Sequence, residues 1–245
     1  MEEFYQSRAL FRTQDVLKNF TSVRSMQFKL KSLTEIGRIA KIKNGLYATV
    51  NPLTGDVFAN RFEIASALFE NACIAYHSAL EFHGLGNQMF SEVFVFTEKR
   101  NVPFEYNGLE YKFFLQTVKG GIMRTEQNAE ITVTDMERTV VDCIDRIDLA
   151  GGIEELVTAL NGITFLDENA LISYMEEYDK KFIYKKVGFL LSLLKKDFLS
   201  QRFFDICKSR CSLKTEDITE NKKIQSATDG YWKLKYPKEL INTEN

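Results

Sequence analysis

The sequence predicts an α+β protein: an N-terminal winged helix-turn-helix over residues 1–52, followed by a mixed α/β C-terminal domain over residues 53–245. Three observations carry this expectation. Two short runs with helical apolar spacing lead directly into a hairpin signal, Asn44-Gly45, set between Ile39, Ile42 and Leu46, Tyr47, Val50. Charge is divided unevenly: residues 1–50 hold nine bases against four acids, a net +5, and the remainder holds 23 against 30, a net −7. Beyond residue 53, strand-like runs come first and helical runs gather towards the C-terminus.

The elements of the first fifty residues follow from local chemistry. Thr13 stands where an N-cap belongs, its hydroxyl able to accept a free amide of the first turn, and Val16, Leu17 and Phe20 supply an apolar side. Thr21 and Ser22 break that run and can cap the next helix. There Val23, Met26, Leu30 and Leu33 recur at three- and four-residue steps, one buried stripe. Gly37, after Ile36, predicts a left-handed C-terminal cap. Asn44-Gly45 then predicts the tight turn of the wing, because both residues tolerate positive φ. Asn51-Pro52-Leu53-Thr54-Gly55 is the expected linker out of this head.

Turning the apolar stripe inward leaves Arg24, Ser25, Phe28, Lys31 and Ser32 facing out, with Arg38, Lys41, Lys43 and Asn44 along the hairpin. These nine are the candidate DNA-contacting residues. Winged helices also serve as protein-docking modules, and a basic face is often only a solvated one. Coincidence favours nucleic acid: seven of the nine bases fall within residues 18–43, against one acid, Glu35. Neutralising phosphates with counterion release supplies most non-specific affinity for duplex DNA.

In the body, residues 61–70 read as helix, and a second helix is entered near His77-Ser78 within Ala72–Gly84. Glu92–Thr97 alternates like a strand. Phe104–Tyr106 and Leu109–Leu115 flank Asn107-Gly108 as a second hairpin. Ile131-Thr132-Val133 is a short strand feeding a helix. From Ile153 to about Cys211 the pattern is helical, broken near Asn161–Asp167 and Tyr178–Lys181, and Tyr231, Trp232 and Leu234 suggest a closing strand. The expected sheet is small, mixed or antiparallel.

Several classes are disfavoured. No apolar stretch follows a basic N-terminus, so no signal peptide is expected. The longest apolar run, Val187–Leu194, is too short to span a bilayer. Cys73, Cys143, Cys207 and Cys211 form no CxxC pair and no zinc pattern, and read as reduced cysteines of a cytoplasmic protein. No cofactor or metal is expected.

Three constellations in the body have chemical potential. His77 and Glu81 would share a helix face, with His83 pointing elsewhere; structural roles are favoured, with the Ser78 hydroxyl as a cap and His83 closing the helix before Gly84. Ser78 lacks the GxSxG elbow of an activated nucleophile. Thr134 with Glu137 reads as a capping box, and Arg138 can pair with Asp142 one turn on. Glu105, Glu110 and Lys112 combine two acids and a lysine as in magnesium-dependent nucleases, a short pattern that also arises by chance.

Taken in order, these segments resemble the AbiEi family, antitoxins and transcriptional regulators of abortive-infection toxin–antitoxin systems. The wing end Asn44-Gly45-Leu46-Tyr47 is similar to the family's basic-Gly-x-Tyr. Ser78-Ala79-Leu80-Glu81-Phe82-His83-Gly84-Leu85 resembles its S-A-L-x-x-H-G-L segment. Val93–Thr97 with Lys99-Arg100 looks like its following strand. Thr134–Asp142 is similar to its T-x-x-E-R-T-L-x-D helix start, the most specific piece. Lys186–Leu191 looks like its x-L-G-Y-L-L helix, with Phe189 in place of Tyr, and Trp232-Lys233-Leu234 like its terminal W-x-L, followed here by Lys235-Tyr236-Pro237 without the customary Asn.

The resemblance implies a non-enzymatic repressor of its own operon. Its head would bind inverted repeats in duplex DNA, as a possible homodimer, and its body would help neutralise a nucleotidyltransferase-like toxin, by direct contact or indirectly. Two alternatives stay open: a winged-helix regulator without a toxin partner, and a small metal-dependent nuclease.

Overall fold

Leu10–Arg12 forms a first strand, β1, and passes without a break into helix α1, Thr13–Leu17. Helix α2, Val23–Glu35, follows, then the hairpin β2, Ile39–Lys43, and β3, Leu46–Thr49. The three strands make an antiparallel sheet in the order β1-β3-β2. Phe11, Val16, Met26, Leu30, Leu33 and Ile39 form one buried cluster beneath it, with Phe20 and Tyr47 packed at its edge. The computed structural model describes residues 7–127, 129–194, 198–218 and 225–240. Among these are nine α-helices and three sheets, a mixed α+β fold.

The sequence-based expectations need adjusting in detail here. Thr13 is the first residue of α1 and not its cap; Arg12 holds the cap position, its amide donating to the Asp15 carboxylate at 2.7 Å. Leu17 and Val23, expected inside, are 37% and 51% exposed, because each lies at the end of its helix beside the α1–α2 turn. Ser22 does cap α2, accepting the Ser25 amide at 3.1 Å. Gly37, at φ +68°, ends it: the Gly37 and Arg38 amides donate back to the carbonyls of Thr34 and Leu33. Asn51–Gly55 is no open linker; Val50 bridges to Val57 and the Asn51 amide donates to the Asp56 carbonyl, so the chain folds back on itself.

The chain divides into two compact units. The first comprises residues 1–74, 91–116 and 123–133, and the second residues 75–90, 117–122 and 134–245. Besides the head, the first unit holds helix α3, Arg61–Leu68, and the six-stranded sheet. Its strands are β4 (Cys73–Ile74), β5 (Glu92–Thr97), β6 (Phe104–Tyr106), β7 (Leu109–Leu115), β8 (Ile122–Glu126) and β9 (Glu130–Thr134), ordered β6-β7-β5-β4-β9-β8. Pairing is mixed: β5–β7 and β4–β9 run parallel, β6–β7 and β4–β5 antiparallel. The β6–β7 turn has Asn107 and Gly108 both at positive φ, as its sequence demands. Strand β8 carries no alternating apolar pattern and escaped sequence reading.

The second unit is helical with a small sheet. Helices α4 (Tyr76–Phe82), α5 (Met136–Asp145), α6 (Ile153–Asn161), α7 (Glu168–Tyr178), α8 (Lys181–Leu193) and α9 (Gln201–Arg210) precede strands β10 (Glu216–Asp217), β11 (Ser226–Asp229) and β12 (Leu234–Pro237). The breaks at Asn161–Asp167 and Tyr178–Lys181 fall where the sequence placed them, and a further one, between Leu193 and Gln201, was not expected. The closing strand is displaced: Tyr231 and Trp232 lie in the turn before it. Trp232 packs on α8 at Gly188, where a Cβ would come within 2.3 Å of the indole ring. No helix among the described residues is long and apolar enough to cross a membrane. All four cysteines are buried and free of disulfides.

Candidate nucleic-acid interface

Helix α2 presents one continuous solvent face. Arg24, Gln27, Phe28, Lys31 and Glu35 are exposed along it, at the three- and four-residue steps of a single stripe opposite Met26, Leu30 and Leu33. Thirteen residues span roughly 20 Å at 1.5 Å per residue. Phe28 sits mid-stripe and is 77% exposed. Ser25 and Ser32 flank the stripe, half-buried; the Ser25 hydroxyl donates to the Ser22 carbonyl at 2.8 Å. The Lys31 ammonium lies 3.8 Å from Glu35, a loose surface pair. Such an exposed pair contributes little.

Between α2 and the β2–β3 hairpin is a cleft of about 460 Å³, lined by Thr13, Gln14, Leu17, Val23, Gln27, Lys41 and Asn44 among others. The Thr13 amide donates to the Gly45 carbonyl at 3.0 Å, tying the start of α1 to the β2–β3 turn and fixing the cleft's end. Lys41 and Asn44 are exposed on one wall and Gln27 on the other. Gln14 and Gln27 line this cleft but are not among the nine residues the sequence singles out, although 24, 27, 28 and 31 share one helical face.

Lys43 departs from its expected place. A bulge between Lys41 and Lys43 breaks the two-residue alternation of β2, which is why Ile39 and Ile42 are both buried. Lys41 is exposed, while the Lys43 ammonium donates to the Leu68 carbonyl and lies 3.8 Å from the centre of the Phe69 ring. Burial, then the charge of Arg12, pushes the Lys43 pKa below its ordinary value. Arg12 is committed the same way, donating to the Ala67 carbonyl at 2.8 Å. Both cations cap the C-terminus of α3, where free carbonyls gather. Only Gly45 of the β2–β3 turn has positive φ, so it is not the symmetric turn found at Asn107-Gly108. Arg38 is exposed at the base of β2.

The three body constellations resolve into packing and ion pairs. His77 is fully buried, Nδ1 at 2.9 Å from Glu81 and Nε2 at 3.1 Å from Glu155, with Phe90 stacked on its ring. Against desolvation, which raises it, the His77 hydrogen bond and the amides of Asn87 and Gln88 hold Glu155 below the ordinary carboxylate range. His83 closes α4 and meets the Thr134 carbonyl at 2.8 Å. Ser78 does not cap the helix; it is buried within it, and Ala75 occupies the cap position.

The expected capping box at Thr134 and Glu137 is displaced by one residue. Asp135 caps α5, accepting the Arg138 amide at 2.8 Å and the Tyr174 hydroxyl at 2.7 Å. Thr134 bonds the Thr139 hydroxyl at 2.7 Å, and Glu137 accepts the Asp167 amide. Arg138 and Asp142 do pair, at 2.7 Å and wholly buried, with the Tyr178 hydroxyl donating to the same carboxylate. Burial pushes Asp142 up to about 6, against the pull of Arg138 and Tyr178.

Lys112 is paired with both Glu92 and Glu110, and Glu105 lies opposite Glu110 across β6–β7. A lysine so neutralised is a poor polariser of water. Among the described residues no three His, Cys, Asp or Glu side chains are grouped to hold a metal.

No protein-family model matches the sequence, and no curated protein matches it. Among solved structures, the chain is similar to a crystal structure of the RV2827C protein from Mycobacterium tuberculosis. Identity is 12%, the TM-score is 0.67, and the match covers 93% of this chain and 86% of that one. The likeness concerns the fold alone.

Proposed function

We propose that this chain binds duplex DNA through a winged helix-turn-helix at its N-terminus and represses transcription, with α2 in the major groove and the β2–β3 hairpin as the wing. One observation carries the reading: Arg24, Gln27, Phe28 and Lys31 form a single exposed stripe on α2, and Gln27 shares a cleft with Lys41 and Asn44 of the hairpin. Cations and amides flank that stripe, the composition that contacts phosphates and base edges. Ser25, Ser32 and Arg38 border it. Lys43 is removed from the contact set, because its charge is spent on α3. The net +5 of the first fifty residues, against −7 elsewhere, supports the same division of labour.

The antitoxin role rests on the sequence resemblance. Its most specific motifs mark buried packing: Arg138 and Asp142 are one ion pair, and Gly188 and Trp232 are two halves of one contact. They support a shared fold and leave partner chemistry to other surfaces. A winged helix reads few base pairs, so two copies on paired half-sites complete the model. Binding by the full chain to the DNA upstream of its own reading frame tests the first claim. Co-expression with a neighbouring nucleotidyltransferase-like reading frame tests the second: rescue of growth supports an antitoxin, and undiminished toxicity opposes it.

A further inference from the structure

Phe28 places an aromatic ring, 77% exposed, between two cations of one helix face, apolar surface that a partner held by those cations would bury. Arg24 lies one turn before Phe28 and Lys31 nearly one turn after it, on the same face. Cations on both sides bring phosphates to either side of the ring. What lies between those phosphates in a major groove is base edges, and their one apolar feature is the C5-methyl of thymine. Charge therefore selects the partner, and the ring selects the base. Resting on the DNA-binding reading above, we infer that Phe28 is a specificity-determining residue that reads thymine by contact with its methyl group.

The neighbouring side chains fit this role. Gln27, exposed beside Phe28, has the paired donor and acceptor that match adenine N6 and N7. Val23, 51% exposed near the start of α2, adds apolar surface at the cleft. Nothing packs Phe28 tightly, so its replacement leaves the α2 core of Met26, Leu30 and Leu33 in place.

The test removes one methyl group at a time. A duplex recovered from a randomised pool by the full chain is resynthesised with uracil replacing each thymine in turn, and affinities are measured for wild type and Phe28→Ala. At one or two positions uracil should weaken wild-type binding about fourfold, the worth of one buried methyl. Phe28→Ala should bind the thymine duplex more weakly and lose the discrimination at those positions. Wild-type indifference to uracil everywhere, with salt-dependent binding intact, overturns this inference and leaves DNA binding standing; a protein partner on Phe28 would give that result. Discrimination that persists in Phe28→Ala also overturns it. Failure to recover any bound duplex overturns both.

Discussion

Lys41 and Lys43 are two residues apart on one strand, yet the bulge between them predicts opposite phenotypes. Lys41→Ala removes an exposed cation from the rim of the cleft. Losing one phosphate contact lowers the slope of log affinity against log salt by about 0.9. The wild-type advantage over the variant should therefore shrink about three- to fourfold between about 50 and about 200 mM salt. Lys43→Ala instead strips a capping donor from the Leu68 carbonyl and a cation from the Phe69 ring. A charge-assisted hydrogen bond contributes about 1.5–3 kcal/mol and an exposed cation–π contact about 0.5–1 kcal/mol; partial exposure of Lys43 reduces the expected loss to about 1–2 kcal/mol. Its salt slope should match wild type. Anisotropy titrations of the full chain on a mixed-sequence duplex over a salt series, with calorimetric melts of the same proteins, read both quantities. A Lys43→Ala protein with unchanged melting and a slope reduced as far as that of Lys41→Ala would refute the reasoning.

Other perturbations address the second unit. Gly188→Ala drives a Cβ into Trp232 and should cost about 1–3 kcal/mol, with a shifted emission of the single tryptophan; an unchanged melt and spectrum would contradict the packing. Asp135→Ala should cost at least about 1 kcal/mol, since it removes the α5 cap and the Tyr174 partner together, and chemical denaturation should show the loss. Glu155 has a folded pKa below its ordinary 4.5, so its stabilisation is fully present above that value and is lost as pH falls through the folded value. Glu155→Gln should thus be less stable than wild type at pH 7, with the two melting curves converging in acid; parallel curves would oppose the assignment.

Most elements were legible because local signals and burial agree in them. Glu92–Thr97 and the Asn107-Gly108 hairpin stand where alternation and turn chemistry put them. The breaks between α6, α7 and α8 follow from loss of helical spacing. Strand β8 was missed because Ile122, Met123 and Arg124 are all exposed, so no alternation marks it. Caps shifted by one residue at Thr13 and Thr134, where a neighbouring side chain, Asp15 or Asp135, made the better bond. In the candidate interface, the stripe of α2 follows from helical period alone. The fate of Lys43 does not, since a bulge is set by pairing with β3 and its partner carbonyl lies 25 residues away.

Footprinting of the full chain on the DNA upstream of its own reading frame, beside an Arg24→Ala, Lys31→Ala, Lys41→Ala variant, tests the central claim most directly. The substituted side chains are exposed, so the variant should fold as wild type does. The account predicts two protected half-sites spaced by whole helical turns, weakening steeply with salt and absent for the variant. Protection identical for both proteins, or none for wild type at low salt, would contradict it.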